Sequence, residues 1–401
     1  MSKMTEQKGR PHIIGYWMSE KKRQKLNWTE FGTTCKRHGF DLVKLDLTRS
    51  LEDQGPFCVI LHKLTDIIVL AGQGDKKAEA MVQRVESYLD AHPEVAVIDP
   101  LDNVRKLLDR FHSYSISLRS GVDSLDAFTP NFVELLSEDV EDNLRRLKEA
   151  GVTFPFVCKP SVAHGSSRAH KMCLIFNERG VRDCQPPCVA QSFINHNAIL
   201  YKIYVVGDRQ HIVERPSLKN FYPCDRDTIF YDSHDVSKAD SQSALSVLDP
   251  EDAATVPQPP PPDPERLRAV VNALRSKLGL ALLGVDVVVE NCSGRIAIID
   301  INAYPGYDGF PNFFESLMTC ILGAVESHRT DVPDAVLSNG SDSFSSGPGS
   351  SACSKTSSST SSPGDQDDSG FDTGGDSSDE KKKKWGRRLR GSGGFAAVAG
   401  K

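Results

Sequence analysis

One stretch of the chain, residues 284–306, constrains the fold more than any other, and it reads GVDVVVENCSGRIAIIDINAYPG. Two apolar runs, residues 285–290 and 295–303, flank a short polar linker, which is the pattern of a β-hairpin. If the loop consists of Cys292, Ser293 and Gly294, the glycine falls at the left-handed position that such a loop requires. The sequence therefore predicts two antiparallel strands joined by this loop.

Counting back from that loop brings two carboxylates together. Asn291 would pair with Arg295. The same register sets Asp286 directly opposite Asp300, and Asn302 shares their face because side chains alternate along a strand. Opposed like charges destabilise a strand pair, and a bound cation removes the repulsion. Oxygen ligands favour Mg²⁺, which usually keeps waters and substrate phosphates in its shell. The alternative is an exposed hairpin face with scattered acidic residues.

Length and charge limit the classes of protein to consider. The chain has 401 residues, which is room for two or three domains. No apolar run approaches the roughly 20 residues that cross a bilayer, so we expect no membrane span. The net charge of −6 does not indicate a nucleic-acid-binding protein, and a bound anion would need a local cluster of positive charge.

Cysteine usage and the N-terminus favour a cytoplasmic protein. The N-terminus is polar and then enters a strand, unlike a signal peptide. The 10 cysteines are scattered without paired metal-type spacing, which suits free thiols in a reducing compartment. Cys184 and Cys188 form only a CxxxC around two prolines, which we interpret as incidental.

Residues 12–100 predict a Rossmann-like α/β domain after a flexible N-terminus at residues 1–11. The strand patterns HIIGYW, FDLVKLDL and FCVILHK alternate with helical patterns at about residues 26–37 and 76–91. Alternation with short links favours a small parallel sheet.

Residues 101–330 show a different, mixed pattern. The apolar spacing from Asp102 predicts one amphipathic helix with Arg110 at the edge of its apolar stripe, and a second helix that begins near Leu136 and ends at Gly151. Residues 222–264 are polar and proline-rich, and they predict an extended loop rather than a folded element.

A second hairpin is predicted upstream of the first. The strand AILYKIYVV is followed by Gly207 and Asp208 and then by the strand RQHIVERP. This two-residue turn closes a hairpin in which Lys202 lies opposite Val213.

The tail, residues 331–401, is rich in Ser, Gly and Asp and is expected to be disordered, because it has too little apolar surface to offset its ordering entropy. It contains a basic cluster from Lys381 to Arg390. That cluster is a candidate nuclear-import signal or anionic-surface contact, and the alternative is a solvated tail.

Several features suit a nucleotide and an anionic second substrate. Lys159 ends a strand and precedes a loop of small residues, an arrangement that suits phosphate binding, although a solvated strand-end lysine is the simpler interpretation. The segment from Gln191 to Lys202 mixes apolar surface with main-chain polar groups, as an adenine pocket requires, but an ordinary core strand pair fits equally well. Basic residues crowd loops near Lys22, His170 and Arg215, which would focus an anion site if the loops meet.

Seven motifs occur in an order that resembles one family. They are GYWMSEKK, HKLTD, DPLDNVRKLLDR, FPFVCKPSVAHGS, QSFINHNAILYK, RPSLKNF and DINAYPGY. In this order they resemble the motifs of the inositol-tetrakisphosphate 1-kinase family, also called inositol 1,3,4-trisphosphate 5/6-kinases, over about residues 12–320. The resemblance implies an α/β (α+β) ATP-grasp fold, with residues 12–100 as an inositol-phosphate-binding domain and residues 101–330 as the ATP-grasp domains. The loop HGSSRAHKM departs from the motif by one inferred extra residue, which bears on the alignment of His170.

The resemblance also implies roles for residues and ligands. Two Mg²⁺ ions would be held by Asp286, Asp300 and Asn302, with Lys202 and Asp300 acting in catalysis. ATP would be bound by Arg110, Lys159, Gln191, Ser192, Phe193, Ile194, Lys202, Ser217, Ser233 and Ser237. Inositol polyphosphates would contact Lys22, His170, Lys202, Asn302 and Gly306, with Lys63 and Arg215 as further anion contacts. A monomer is the expected state. The alternatives are an ATP-grasp carboxylate–amine ligase and a non-catalytic inositol-phosphate-binding scaffold.

Overall fold

The computed structural model describes residues 12–24, 26–165 and 167–331. The strands within those residues are β1 (His12–Trp17), β2 (Phe40–Lys44), β3 (Val59–His62), β4 (Ala96–Ile98), β5 (Ala127–Phe128), β6 (Phe132–Leu135), β7 (Phe156–Pro160), β8 (Lys171–Ile175), β9 (Cys188–Ser192), β10 (Ile199–Val206), β11 (Arg209–Pro216), β12 (Ile229–Asp232), β13 (Leu282–Val289) and β14 (Ile296–Ala303). The α-helices are α1 (Glu20–Arg23), α2 (Trp28–Arg37), α3 (Thr65–Gly72), α4 (Lys76–Ala91), α5 (Leu101–Arg105), α6 (Arg110–Leu118), α7 (Val140–Glu149), α8 (Ser233–Ser237), α9 (Pro250–Thr255), α10 (Pro264–Leu278) and α11 (Phe313–Asp331).

The first sheet has the parallel arrangement that the alternating pattern predicts. Its strand order is β2-β1-β3-β4, and all three pairings are parallel. Parallel neighbours need crossover connections, which α2, α3 and α4 provide. Helix α4 begins where expected because the side chain of Asp75 accepts hydrogen bonds from the backbone N–H groups of Lys77 and Ala78.

Two further sheets hold most of the remaining strands. One has the order β12-β8-β7-β9-β6 and is antiparallel throughout. The other has the order β11-β10-β13-β14-β5 and is antiparallel except where β5 joins β14. The central strand β13 is buried along its whole length, so a polar side chain on it needs a partner or a ligand.

The parallel sheet shares its hydrophobic cores with the rest of the fold. Ile60 from β3 belongs to the same buried cluster as Val285 from β13. In a second cluster, Phe31 from α2 stacks on Phe314 from α11 with ring centroids 5.3 Å apart. These helices, distant in sequence, therefore form one packed layer.

Asp99 fastens the end of the parallel sheet to the start of β13. Its two carboxylate oxygens accept hydrogen bonds from the backbone N–H groups of Ala281 (2.7 Å) and Leu282 (2.9 Å). The backbone oxygen of Asp99 accepts one of 2.8 Å from Nε2 of His62, a buried histidine whose pKa burial lowers to about 4. Burial raises the pKa of Asp99 to about 6.

Three helix and loop predictions are wrong. Residues 102–111 form two helices rather than one, because the side chain of Asp109 accepts from the N–H of His112 (2.7 Å) and starts α6 at Arg110. Leu136 lies outside α7 and is exposed. Residues 222–264 contain β12, α8 and α9. Strand β12 is the edge strand of its sheet and pairs with β8, a position that requires little apolar patterning.

The predictions for residues 1–11 and for the tail from residue 332, including the basic cluster from Lys381 to Arg390, lie outside the described residues. No helix in the described part of the chain is both long and apolar enough to span a membrane.

Candidate active site

The hairpin of β13 and β14 places two carboxylates face to face. Its register pairs Asp286 with Asp300, as predicted. The predicted pairing of Asn291 with Arg295 is wrong, because the N–H of Glu290 donates to the oxygen of Arg295 (2.9 Å) and the loop has four residues, 291–294. Gly294 does adopt the left-handed conformation, with φ of 69°.

A β-bulge explains why the two aspartates still face each other. The longer loop shifts every pair near it by one residue, so Val289 pairs with Ile296 and Val287 with Ile298. The register then shifts between Asp286 and Val287, which leaves Ile299 without a paired residue on β13. This extra residue on β14 compensates for the extra residue in the loop.

Three charged side chains form a row across adjacent strands. Asp286 on β13 lies between Lys202 on β10 and Asp300 on β14, directly opposite both. Opposed residues share a face of the sheet, and Nζ of Lys202 lies 3.0 Å from Oδ2 of Asp286. The predicted pairing of Lys202 with Val213 on β11 is confirmed.

The pKa values of the two carboxyl groups are shifted in opposite directions. Burial raises the pKa of Asp286, although Lys202 partly offsets this. Burial acts on Asp300 in the same direction, but the cations Arg110, Lys159 and Lys202 outweigh it and hold its pKa below the ordinary value. Burial opposes the charge of Lys202 too, and Asp286 outweighs it, so the pKa of Lys202 is raised.

This cluster of oxygens fits a hard cation. Oδ1 of Asp286 is buried and has no hydrogen-bond partner among the described residues. Nδ2 of Asn302 donates to Oδ2 of Asp300 at 3.3 Å, so the amide lies beside the carboxylates. The described residues contain no group of three or more His, Cys, Asp or Glu side chains able to hold a metal. Two carboxylates and one amide are a sparse donor set that suits Mg²⁺, which takes its other ligands from water and phosphate.

Lys159 enters the site from the second sheet. Its Nζ donates to Oη of Tyr114 (2.9 Å), Oε1 of Gln191 (2.8 Å) and the backbone oxygen of Ile299 (2.8 Å). Burial lowers the pKa of Lys159 to about 8, because the nearby carboxylate of Asp300 only partly compensates for the loss of water. The lysine is therefore held in place and poised to lose its charge in mildly alkaline solution.

Arg110 fixes the loop that follows β7. It is buried, and its guanidinium donates to the backbone oxygens of Pro160 (2.5 Å) and Ala169 (3.0 Å). Its Nε is buried and unpaired within the described chain. The loop is also attached to α3 through the N–H of Gly165, which donates to Oδ1 of Asp66 (3.1 Å).

The predicted adenine segment, Gln191, Ser192, Phe193 and Ile194, is braced by a histidine that sequence reasoning missed. Nδ1 of His196 lies 2.5 Å from the oxygen of Ile194, and its Nε2 lies 2.7 Å from Oγ of Ser217. Burial lowers the pKa of His196 to about 4, so the ring is neutral. We assign the proton to Nδ1, which donates to Ile194, while Nε2 accepts from Ser217.

An asparagine network ties this segment to the hairpin loop. Nδ2 of Asn291 donates to Oδ1 of Asn197 (2.8 Å), and the backbone N–H of Asn197 donates to Oδ1 of Asn220 (2.9 Å). This network was not predicted from the sequence, because the three asparagines are far apart in the chain.

His170 lies in a cationic environment that includes Lys22 of α1. Its ring stacks on His234 with centroids 3.7 Å apart, and its Nδ1 lies 3.5 Å from Oγ of Ser233. Burial lowers the pKa of His170 to about 4, and the charges of His234, Arg110 and Lys22 act in the same direction. Lys22 and His170 are therefore near enough to influence each other electrostatically, as a focused anion site requires.

The remaining predicted residues lie on α8 and around the turn that follows β14. Ser237 is the last residue of α8, and Gly306 is exposed on the turn after β14. Nζ of Lys63 donates to the oxygen of Tyr304, and the guanidinium of Arg215 donates to the oxygen of Asp308 (3.0 Å). Lys63 and Arg215 therefore hold the two sides of the turn that contains Gly306.

The fold and the site define an ATP-grasp protein. Residues 123–323 match the family model described as "Inositol 1,3,4-trisphosphate 5/6-kinase ATP-grasp domain", and residues 13–104 match the corresponding "pre-ATP-grasp domain". The fold is also similar to the crystal structure of the D-cycloserine synthetase DcsG, with a TM-score of 0.51, 14% sequence identity and coverage of 78% of this chain and 99% of that chain. At this identity the likeness concerns the fold alone.

The chain belongs to the inositol 1,3,4-trisphosphate 5/6-kinase family. It is 46% identical over 312 residues to an inositol-tetrakisphosphate 1-kinase of Xenopus laevis, covering 77% of this chain and 78% of the relative. It is 44% identical over 317 residues to the enzyme of the same name from Danio rerio, covering 78% and 79%. The predicted family and the predicted ATP-grasp fold are confirmed.

Proposed function

We propose that this protein is an Mg²⁺- and ATP-dependent kinase that transfers the γ-phosphoryl group of ATP to a ring hydroxyl of inositol tris- and tetrakisphosphates. The observation that carries the proposal is the row of Lys202, Asp286 and Asp300 facing Lys159 inside the family's ATP-grasp domain. The activities are those of the family, inositol 1,3,4-trisphosphate 5/6-kinase and inositol 3,4,5,6-tetrakisphosphate 1-kinase. Phosphate exchange between inositol phosphates would use the same site.

Asp286, Asp300 and Asn302 would hold the metal, with room for two ions. When bound, Mg²⁺ supplies neutralisation of the charge on the transferring phosphoryl group. The low pKa of Asp300 supports this role, because an ionised carboxylate is needed for a cation. Lys202 ion-pairs with Asp286 and would contact both the nucleotide phosphates and the acceptor.

Lys159 and Arg110 would bind the phosphates of ATP. The segment Gln191, Ser192, Phe193 and Ile194 would bind the adenine, with Ser217, Ser233 and Ser237 as further contacts. What supports this assignment is the hydrogen bonding of His196 to Ile194 and Ser217, which fixes the main chain of this segment.

The acceptor would bind against Lys22, His170, Lys202, Asn302 and Gly306, with Lys63 and Arg215 as outer anion contacts. The influence of Lys22 on His170 supports a polyanion at the junction of the two domains. We propose residues 12–100 as the inositol-phosphate-binding domain and residues 101–330 as the ATP-grasp domains. We further propose a cytoplasmic monomer.

Product identification tests the function. The full-length protein is incubated with Mg-ATP and a panel of inositol tris- and tetrakisphosphates, and ADP release is measured together with the phosphorylated product. A parallel panel of amino acids tests for carboxylate–amine ligase activity, and Asp300→Asn serves as the inactive control. ADP release with amino acids but with no inositol phosphate would overturn the proposal, and so would product formation undiminished in Asp300→Asn.

A further inference from the structure

Four cysteines meet on the face of the β7–β8–β9 sheet opposite Lys159. Cys158 on β7 is directly opposite Cys173 on β8. Cys158 also pairs with Ala190 on β9, and Cys188 lies two residues from Ala190, which places it on the same face. Cys184 enters this group from the segment before β9, and all four belong to one buried cluster.

Cys158 lies at the centre of the group. Its side chain interacts with those of Cys173, Cys184 and Cys188, and the side chain of Cys184 also interacts with that of Cys188. All four are free thiols, with exposed fractions of 4% for Cys158, 5% for Cys173, 9% for Cys184 and 1% for Cys188. Buried cysteines commonly act as small apolar residues, but neighbouring thiols on one face of a sheet are also the groups from which disulfides are made.

Metal binding is the less favoured use of this cluster. Within the described ranges, no group of three or more His, Cys, Asp or Glu side chains is placed to hold an ion. The contacts centre instead on one sulfur, since Cys158 contacts each of the other three. Cys158 is therefore the thiol placed to form a disulfide with any of the other three.

We propose that this four-thiol cluster is an oxidation site that reacts with hydrogen peroxide and closes a disulfide between Cys158 and Cys184. Cys184 is the most exposed of the four and lies outside the strands, so it meets the oxidant first. Its sulfur attacks the peroxide, the O–O bond breaks, and a sulfenic acid and one water form. The sulfur of Cys158 then attacks the sulfur of Cys184, the S–O bond breaks, and a second water leaves with the thiol proton. Overall, two thiols lose two electrons and two hydrogens to one peroxide.

The disulfide would reach the nucleotide site through β7. Lys159 follows Cys158 directly and points to the other face, where it bonds Tyr114, Gln191 and Ile299. Pulling Cys158 toward the segment before β9 displaces this strand, and small displacements of a positioned group cost affinity steeply. Oxidation is therefore expected to weaken ATP binding by about tenfold. This consequence rests on the proposed function, whereas disulfide formation does not.

Mass spectrometry tests the disulfide directly. The full-length protein is treated with a small excess of hydrogen peroxide, unfolded in the presence of an alkylating agent, and digested. We expect a peptide pair linked through Cys158 and Cys184, absent after dithiothreitol. Cys184→Ser should prevent it, with Cys184→Ala as the second variant if serine unfolds the protein. Cys224→Ser and Cys292→Ser, at exposed cysteines, are the matched controls and should leave it unchanged.

Calorimetric binding of ATP, without turnover, tests the consequence. The dissociation constant should rise on oxidation of the wild type, recover with dithiothreitol, and stay unchanged in oxidised Cys184→Ser. Four thiols that remain alkylatable after peroxide, or a disulfide that joins another pair, would overturn the proposed site. A Cys158–Cys184 disulfide with unaltered ATP affinity would overturn the link to β7. Failure of the reduced protein to bind ATP would count against the proposed function instead.

Discussion

Nζ of Lys159 donates a hydrogen bond of 2.8 Å to the backbone oxygen of Ile299, the residue that the hairpin register passes over. This bond joins the two antiparallel sheets at the position directly before Asp300. The bulge that restores the pairing of the two aspartates therefore also provides the acceptor that positions the lysine. A substitution at the bulge is therefore expected to displace Lys159, and a substitution of Lys159 is expected to disturb the bulge.

Replacing Lys159 tests its role in nucleotide binding. Lys159→Met removes the charge and keeps much of the buried volume, and we expect it to weaken ATP binding by about tenfold or more. Because the pKa of Lys159 is about 8, wild-type affinity should fall as the pH rises through that value, when the ammonium becomes neutral. Titration calorimetry from about pH 7 to about pH 9 should show this decline in the wild type and a flatter profile in Lys159→Met. Equal dependence of ATP affinity on pH in the two proteins would show that Lys159 does not bind the phosphates.

Replacing Asp300 tests the metal site. Asp300→Asn keeps the shape but removes the charge, and we expect kcat to fall by about 100-fold or more, because charge neutralisation of the phosphoryl group is lost. Circular dichroism should remain that of the wild type. The exposed Asp240→Asn is the matched control and should retain activity. Near-normal turnover in Asp300→Asn would refute the assignment.

Replacing Lys22 distinguishes binding of the acceptor from binding of the nucleotide. Lys22→Ala should raise KM for the inositol phosphate by about tenfold, because one charge-assisted contact to a phosphate is lost, with KM for ATP little changed. Steady-state kinetics with each substrate varied in turn measure both constants. Lys36→Ala, at an exposed position on α2, is the control. An equal loss for both substrates would argue against Lys22 as an acceptor contact.

Asp99 should make stability depend on pH. Its pKa is raised by burial to about 6, above the unfolded value of 3.8, so the folded state binds the extra proton between these values. Its contribution is therefore complete below about pH 4 and is lost as the pH rises through about 6, by about 3 kcal/mol in total. Urea unfolding across this range should show the stability of the wild type falling relative to Asp99→Asn. The exposed Asp41→Asn should follow the wild type. A wild-type curve parallel to that of Asp99→Asn would contradict the shift.

Local patterns allowed much of this site to be predicted. The pairing of Asp286 with Asp300 followed from a hairpin count within twenty residues, and the parallel sheet followed from alternating apolar runs. The count succeeded only because two errors cancelled. It assigned the loop one residue too few and contained no bulge at Ile299, and neither feature has a distinct sequence signal.

Contacts between distant segments could not be predicted from such patterns. His196 and Ser217 meet through a loop that no periodicity describes, and the sulfurs of Cys158 and Cys184 meet only because the strands pair as they do. The break before α6 is different. The helix cap at Asp109 was present in the sequence, and reading it as a start signal would have separated the two helices.

The stacking of Phe31 on Phe314 limits which segments can be exchanged between members of the family. Helix α11 packs on the parallel sheet although almost the whole ATP-grasp part separates them in the chain. A chimera that takes only residues 12–100 from a relative would pack α2 of that relative against α11 of this protein. If α11 is taken from the relative as well, both sides of the interface come from the same protein. If residues 12–100 bind the acceptor, as proposed, we expect a chimera to acquire the preference of its donor only when both segments are exchanged together.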